Sequence, residues 1–494
     1  MACGLALCLI WCFRYPPFID AANVAYSGEV MHDLWRGGGV YGKWYALREG
    51  AVSHMAYYRL YHWLRYVLPP VASTKVLITL GVVGLPLAMA GLLRSLNRTL
   101  WLSIPAFALA FNTNLNMGYL PFVIGIPLIP LCLMLIELNA TQPRTWRWVL
   151  LALALLGSLW VHFFLAAVLF PLVALFAFLS FRGRLRVYVA GAITLSLSVA
   201  GLLLVGKHTM PAWRRVFQRI PFSERWDQLD RDVIQWTTDG APALSFPWLL
   251  LAFVVSVGLV RRTQAPENGA SAARGGILAA ALFVAYMLGP NYISWPEPAW
   301  GFGTRIGVAL AISLLLVHST SATGWRRVLQ VSPWLAFTFW HLVSLVEPFR
   351  VYALDMHPLA ELRDAVPKKS KILPLYDSEW LKYPGLYSFG GFVGFVFKHA
   401  GKWLAVESTG YQPWSFCDAG YHPIKCLTQL SAPAQPSASR VSPEILESYD
   451  YVLVHEDATH ARQPPNERWA LDKRIGHWSL WKHDLRAIKD HPDE

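Results

Sequence analysis

Apolar runs close to 20 residues long recur along this chain, and that recurrence constrains its fold more than any other feature. Such a run is long enough, as an α-helix, to cross the roughly 30 Å hydrocarbon core of a bilayer. Runs at 1–13, 71–93, 100–111, 119–138, 148–160, 163–181, 187–205, 246–260, 277–288, 306–317 and 331–346 give about eleven candidate spans. Composition agrees. Hydrophobic residues make up 55% and charged residues 15%, where a soluble domain carries about a quarter charged. The expected architecture is mainly α: a polytopic transmembrane bundle over residues 1–346, followed by a small external α/β domain over 347–494. The 23 Trp and 20 Tyr suit broad membrane–water interfaces.

The charge is distributed with a sense of side. Arg94 and Arg98; Arg144 and Arg147; Arg182, Arg184 and Arg186; Arg261, Arg262 and Arg274; Arg326 and Arg327 all fall in alternate short loops nearly free of acids. That is the positive-inside pattern, so those loops are expected in the cytoplasm and the other set outside, with the N-terminus in and the C-terminus out. The net charge of +12 is thereby explained without nucleic acid, which is not an expected partner.

Two polar regions stand out. The first loop, residues 15–70, opens on Tyr15-Pro16-Pro17-Phe18-Ile19-Asp20 and reads as two helices, 19–34 and 52–67, lying along the membrane surface. The first of them stops at Gly37-Gly38-Gly39. The tail from Glu347 carries strand candidates at 371–375, 449–454 and 477–481, a Gly/Phe-rich stretch at 389–397 and a Pro/Ser-rich linker at 431–443. Cys417 and Cys426 lie in that tail and can pair in an oxidising compartment; Cys3, Cys8, Cys12 and Cys132 lie in apolar runs as packing residues. Pro121, Pro127 and Pro130 break up one span, and Trp160-Val161-His162 divides another apolar stretch in two.

Asp20 is the first candidate for chemistry, because a carboxylate near the bilayer edge is costly unless solvated, paired or functional. It can cap the helix from Ala21, or it can act as a general base toward an acceptor hydroxyl. Glu29 and Asp33, four residues apart on one helical face, are either a solvated face or an acid partner and divalent-metal ligand pair; His32 between them is a candidate substrate contact. Arg305, after Trp300-Gly301-Phe302-Gly303-Thr304, can clamp a phosphate or snorkel to headgroups. His162 at the split of its apolar stretch can touch a phosphate or cap a helix. Asn112, Asn114, Asn116, Asn291 and Glu297 can line a polar cavity, and Lys207, His208, Arg214, Arg215 and Arg219 form a basic external stretch. The phosphate-cradling G-x-x-x-x-G-K-[ST] loop, H-E-x-x-H and G-x-S-x-G are all missing, so ATP-driven transport, zinc proteolysis and serine hydrolysis have no motif support.

With Asp20 near the start of an external loop rich in surface helices, the Asn112-Thr-Asn-Leu-Asn-Met-Gly-Tyr-Leu-Pro121 turn, His162, and a terminal external tail, the layout resembles the GT-C superfamily of membrane glycosyltransferases. The resemblance covers nearly the whole chain and is one of architecture. It departs from the protein-mannosyltransferase branch, whose first loop carries adjacent Asp and Glu, since Ala21 follows Asp20 here. It implies a polyprenyl-phosphate-linked sugar as donor, its phosphate held by Arg305 and His162. Asp20 would activate a hydroxyl of a glycan, lipid or protein acceptor on the external face, and the sugar would transfer with inversion. No nucleotide is required, and a divalent metal is the one cofactor to be considered. The implied location is a plasma membrane, bacterial inner membrane in first place, with a periplasmic or extracellular tail. The rival reading is a non-enzymatic transporter or assembly component that displays an external domain; a lipid-glycan ligase or polymerase is a third.

Overall fold

The computed structural model describes residues 1–49, 53–181, 217–218, 221–229, 232, 249–256, 269–290, 292–293, 299–317, 324–376, 399–413, 422–428, 441–456 and 468–483. After α1 (Ala2–Trp11) come α2 (Ala21–Trp35), the short strand β1 (Tyr45–Leu47) and α3 (Met55–Leu64). The bundle continues with α4 (Pro70–Ser95), α5 (Pro105–Ala110), α6 (Thr113–Asn116), α7 (Leu120–Gly125), α8 (Leu128–Thr141), α9 (Thr145–Val161) and α10 (Phe163–Ser180). Later helices are α11 (Phe222–Asp227), α12 (Gly269–Leu288), α13 (Phe302–Leu315), α14 (Trp325–Ser344), α15 (Val346–Leu362) and α16 (Lys402–Ser408), and the short strands β2 (Phe217–Gln218), β3 (Tyr292–Ile293) and β4 (Ala299–Trp300) form a small antiparallel sheet.

Among the described residues, four helical stretches are long and apolar enough to cross a membrane: Pro70–Ser95, Leu120–Thr141, Phe163–Ser180 and Arg327–Ala365. Shorter apolar helices occupy Ala2–Trp11, Thr145–Val161, Ala273–Leu288 and Phe302–Leu315. Most expected spans thus have a helical counterpart. The run at 100–111 does not form one helix: a 3-10 turn, Leu100–Ser103, gives way to α5, whose first residue Pro105 has no N–H to join the ladder. The run at 187–205 lies outside the described residues; of 246–260, residues 249–256 are helical. The break at His162 is real, with backbone angles φ −168° and ψ 128° between α9 and α10.

Small residues bring the helices together. A Cβ on Gly81 of α4 would stand 2.9 Å from the Val123 carbonyl oxygen of α7, and one on Gly84 3.1 Å from Pro127. In a bilayer, where lipid competes for apolar faces, such close backbone approach is a main source of helix association. At one end of the bundle three arginines, Arg98 in a loop and Arg147 and Arg274 near helix starts, close helix termini. Arg98 donates to the Leu316 carbonyl, Arg147 to those of Leu138 and Gln142, and Arg274 bridges Glu137 and Ser180 at 2.7 Å each. One end of the bundle therefore gathers the C-terminal parts of α8, α10 and α13 around Arg98, Arg147 and Arg274.

The helical part does not end at residue 347. α15 carries it on, and a 3-10 turn extends it to Ala365. Beyond lies a four-stranded sheet in the order β5 (Ile372–Tyr376), β7 (Tyr451–His455), β9 (Trp478–His483), β8 (Trp469–Ile475). β5 and β7 are parallel; β9 runs antiparallel to both β7 and β8. Three of these strands coincide with sequence expectation. The fourth, β8, is a charged edge whose Asp472, Lys473 and Arg474 break any apolar alternation. The stretch 389–397 and the linker residues 431–440 lie outside the described residues.

The tail also returns to the start of the chain. β6 (Ile424–Cys426) pairs antiparallel with β1, Tyr45 opposite Cys426 and Leu47 opposite Ile424. α16 packs on α2, and the fully buried Lys402 donates to Asn23 Oδ1 at 2.7 Å. Arg14 and Tyr15 both reach Glu407, the tyrosine at 2.6 Å. Cys426 is disulfide-bonded; Cys417, the partner expected for it, lies outside the described residues.

Candidate functional site

The Asn112–Gly118 turn is the hub of the site. Asn112 caps α6, its Oδ1 accepting from the amides of Asn114 and Leu115. On one side the turn holds the entry to α2: the Ile19 amide donates to the Asn116 carbonyl at 2.9 Å and the Asp20 amide to that of Met117 at 3.2 Å. Gly118 sits at φ +77°, and a Cβ there would lie 2.5 Å from the Asp20 nitrogen. Only glycine tolerates both the left-handed backbone and that approach. On its other side the turn holds α13. Asn114 Nδ2 donates to the Thr304 carbonyl at 2.9 Å, and Thr304 Oγ1 donates back to Asn114 Oδ1 at 3.1 Å. One tight turn thus grips both the residue that precedes α2 and the first turn of the helix that carries Arg305.

Asp20 is the N-cap residue of α2, yet its side chain makes no capping hydrogen bond. Instead its carboxylate faces His399, with Oδ1 3.3 Å from Nε2. Arg305 donates to the Gly301 carbonyl at 3.0 Å, and its guanidinium lies over the rings of Tyr119 at 4.5 Å and Phe164 at 4.7 Å. Those aromatic faces stabilise a cation in an apolar setting. The charges that act on the buried Tyr119 hydroxyl are those of Arg305, Asp20 and Asp232. Asp232 in turn accepts from the Tyr286 hydroxyl at 2.8 Å and lies 3.8 Å from Arg225. Acid and base are therefore gathered around one tyrosine. Asn116, only 1% exposed, has neither side-chain nitrogen nor oxygen hydrogen-bonded among the described residues. A buried amide left so costs about 1–3 kcal/mol unless something else satisfies it.

His162 ends α9 and caps α10, its Nδ1 accepting from the Phe164 amide at 3.1 Å. That assignment leaves Nε2 to carry the proton of the neutral ring. The ring stands edge-on to His54 at 4.6 Å, and His54 lies 6.3 Å from His422. His422 comes from the tail and meets the Tyr58 hydroxyl at 2.9 Å. Burial, then the Arg305 charge, pushes His54 down to about 3; burial, then His54 and Arg48, depresses His422 well below its usual range. This histidine cluster is neutral at ordinary pH and offers hydrogen bonds rather than charge.

The remaining candidates lie elsewhere. At 1.5 Å per residue, Glu29, His32 and Asp33 stand about 14 to 20 Å along α2 from Asp20. Glu29 is engaged by Arg65 in a buried ion pair and by the Tyr61 hydroxyl at 2.8 Å. Asp33 Oδ2 accepts the amides of Val40 and Tyr41 at 3.0 and 2.7 Å, so it fastens the glycine turn that ends the helix. His32 Nδ1 meets His62 Nδ1 at 3.1 Å, and burial, then the Arg65 charge, lowers it to about 4. All three have partners that join α2 to its own loop or to α3. Asn291, Glu297, Lys207, His208, Arg214, Arg215 and Arg219 lie outside the described residues.

Sequence reasoning missed His54, Tyr119, Asp232, His399 and His422. Tyr119 lies in the Asn112–Pro121 turn but drew no role there, the others belong to no motif, and His399 and His422 reach the site only because the tail folds back across it. Compared with protein-family models, curated proteins and solved structures, the chain finds no match.

Proposed function

We propose that this chain is an integral-membrane glycosyltransferase of GT-C type, which moves a sugar from a polyprenyl-phosphate donor to an acceptor hydroxyl outside the cytoplasm. In this reading about eleven spans run from an N-terminus inside to a C-terminus outside, and the tail is periplasmic or extracellular in a bacterial-type plasma membrane. The gathering of Arg98, Arg147 and Arg274 at one end of the bundle supports that orientation, since His162 and Arg305 lie at the opposite ends of α10 and α13 and the Asn112–Gly118 turn holds Asp20 beside α13.

The observation that carries the proposal is the Asn112–Gly118 turn, with Asp20 on one side and the Arg305 helix on the other. Asp20 accepts the proton of the acceptor hydroxyl as its oxygen attacks the anomeric carbon. The bond from that carbon to the phosphate oxygen breaks, the configuration inverts, and polyprenyl phosphate leaves with the electron pair. Arg305 and the His162 Nε2–H stabilise the phosphate charge as it grows. His399 beside Asp20 orients the carboxylate. Glu29 and Asp33 supply the loop's framework in this scheme, and the residues of the site require no metal for the proton transfer.

The test uses purified protein in lipid with radiolabelled polyprenyl-phosphate sugars and a membrane extract as acceptor source. Wild-type protein transfers label, whereas Asp20→Asn inserts normally and loses transfer by at least about 100-fold, in keeping with the usual contribution of a general base. Undiminished transfer by the Asp20→Asn protein overturns the role of Asp20. If the wild-type protein transfers no sugar from any such donor, the non-enzymatic reading replaces the enzymatic one.

A further inference from the structure

Far from that site in sequence and chemistry, three ligand-type side chains from three elements meet. Asp355 belongs to α15, the helix that continues the last apolar stretch out of the bundle. His455 is the last residue of β7, and His477 lies in the tight turn between β8 and β9. That turn depends on Gly476 at φ +57°. Because β7 and β9 pair with His455 opposite Trp478, the turn sets the two imidazoles side by side. Asp355 Oδ2 then lies 2.7 Å from His455 Nε2, and Oδ1 2.7 Å from His477 Nδ1. All three ligand atoms fall within 4.8 Å of one another.

We propose that Asp355, His455 and His477 bind a divalent transition-metal ion, Zn²⁺ in first place, which ties the sheet to the end of the last membrane helix. Two imidazoles and one carboxylate suit Zn²⁺ better than Mg²⁺ or Ca²⁺, which prefer oxygen-only shells. Metal–ligand bonds near 2.0–2.2 Å in a tetrahedron separate ligand atoms by about 3.3 Å. Asp355 binds through one oxygen, whose 2.7 Å contact with its histidine opens by about half an ångström to admit the ion, while the other oxygen gives up its hydrogen bond so that the second imidazole turns to the metal. Each ring then carries its proton on the nitrogen away from the metal.

The surroundings are built to hold such an arrangement. Trp478 Nε1 donates to the Asp355 carbonyl at 2.8 Å, and its ring lies 4.3 Å from that of His455. His455 is buried while the His477 side chain is 26% exposed. The fourth coordination position therefore faces the solvent side, where water completes the shell. The site is separate from Asp20 and from the carboxylates of the first loop, and it does not depend on the transferase reading.

Full-length protein in detergent, stripped of metal by chelation, is titrated with Zn²⁺ and dialysed, and bound zinc is counted by atomic emission. One zinc per chain is expected for the wild type. Asp355→Asn and His477→Gln should each bind at least about 100-fold more weakly, since even outer-shell changes weaken such sites 10- to 100-fold. His357→Gln, a change at an exposed histidine of the same helix, should bind like the wild type. Co²⁺ in the wild-type site should give the intense visible absorption of a four-coordinate ion, and saturating Zn²⁺ should raise the melting temperature. This wild-type spectrum keeps the test decisive even if a variant fails to fold. A wild-type protein with neither retained zinc nor a four-coordinate Co²⁺ spectrum overturns the proposal, as does zinc retained equally by both ligand variants.

Discussion

At the scale of single residues, burial controls the charge of histidines both inside and outside the site. His54 is pushed down to about 3 and His32 to about 4, both primarily by burial. Each folded-state value lies below the unfolded value of about 6.5, so the unfolded chain takes up protons first as the pH falls. The stability each contributes is complete above about pH 6.5 and is lost progressively toward the folded value. For the fully buried His54 the loss between pH 7 and 5 amounts to about 2 kcal/mol. His54→Gln should therefore flatten the fall in melting temperature across that range, which a calorimetric pH series would register. Asp20 and Arg305 were legible in the sequence because a charge at the edge of an apolar run is conspicuous. His399 and Asp232 were not, because a polar residue in a polar segment leaves no trace of what it will face.

At the scale of elements, two turns and one helix pair bear most of the arrangement. Gly118→Ala forces a side chain into a left-handed backbone and against the Asp20 amide. The backbone alone costs about 1–2 kcal/mol, and the collision displaces Asp20. Lower thermal stability and lost transfer, with Gly84→Ala as the comparison of a packing glycine, are the expected results. Glu29→Gln removes the charge that the Arg65 guanidinium faces and leaves that cation without its counterion. A buried pair broken on one side loses on the order of 3 kcal/mol, and denaturant unfolding should show it. Helices and the interior strands were legible because apolar run length and alternation record which face is buried. β8 was not, since an edge strand needs its charges, and the run at 100–111 was misjudged because composition does not register where Pro105 restarts the ladder.

At the scale of the whole molecule, the tail is a structural partner of the first loop. Lys402 meets Asn23, His399 meets Asp20, Tyr58 meets His422, and β6 adds a strand to β1. No periodicity in a sequence reports which of two distant faces will meet, so this closure was invisible there. A chain shortened to residues 1–365 keeps its apolar helices but uncovers α2. Amide hydrogens of residues 21–47 should then exchange at least about tenfold faster, a change equal to about 1.4 kcal/mol of lost protection. Unchanged exchange would mean that the loop holds its shape alone.

The β1–β6 ladder also sets an order of events during synthesis. Residues 45–47 leave the ribosome nearly four hundred positions ahead of their partners at 424–426. Throughout that interval the first loop waits with an open strand edge and a buried-to-be aromatic face. Assembly of the Asp20 region therefore waits for residues 399–426, while the strands at 451–483 are made later still.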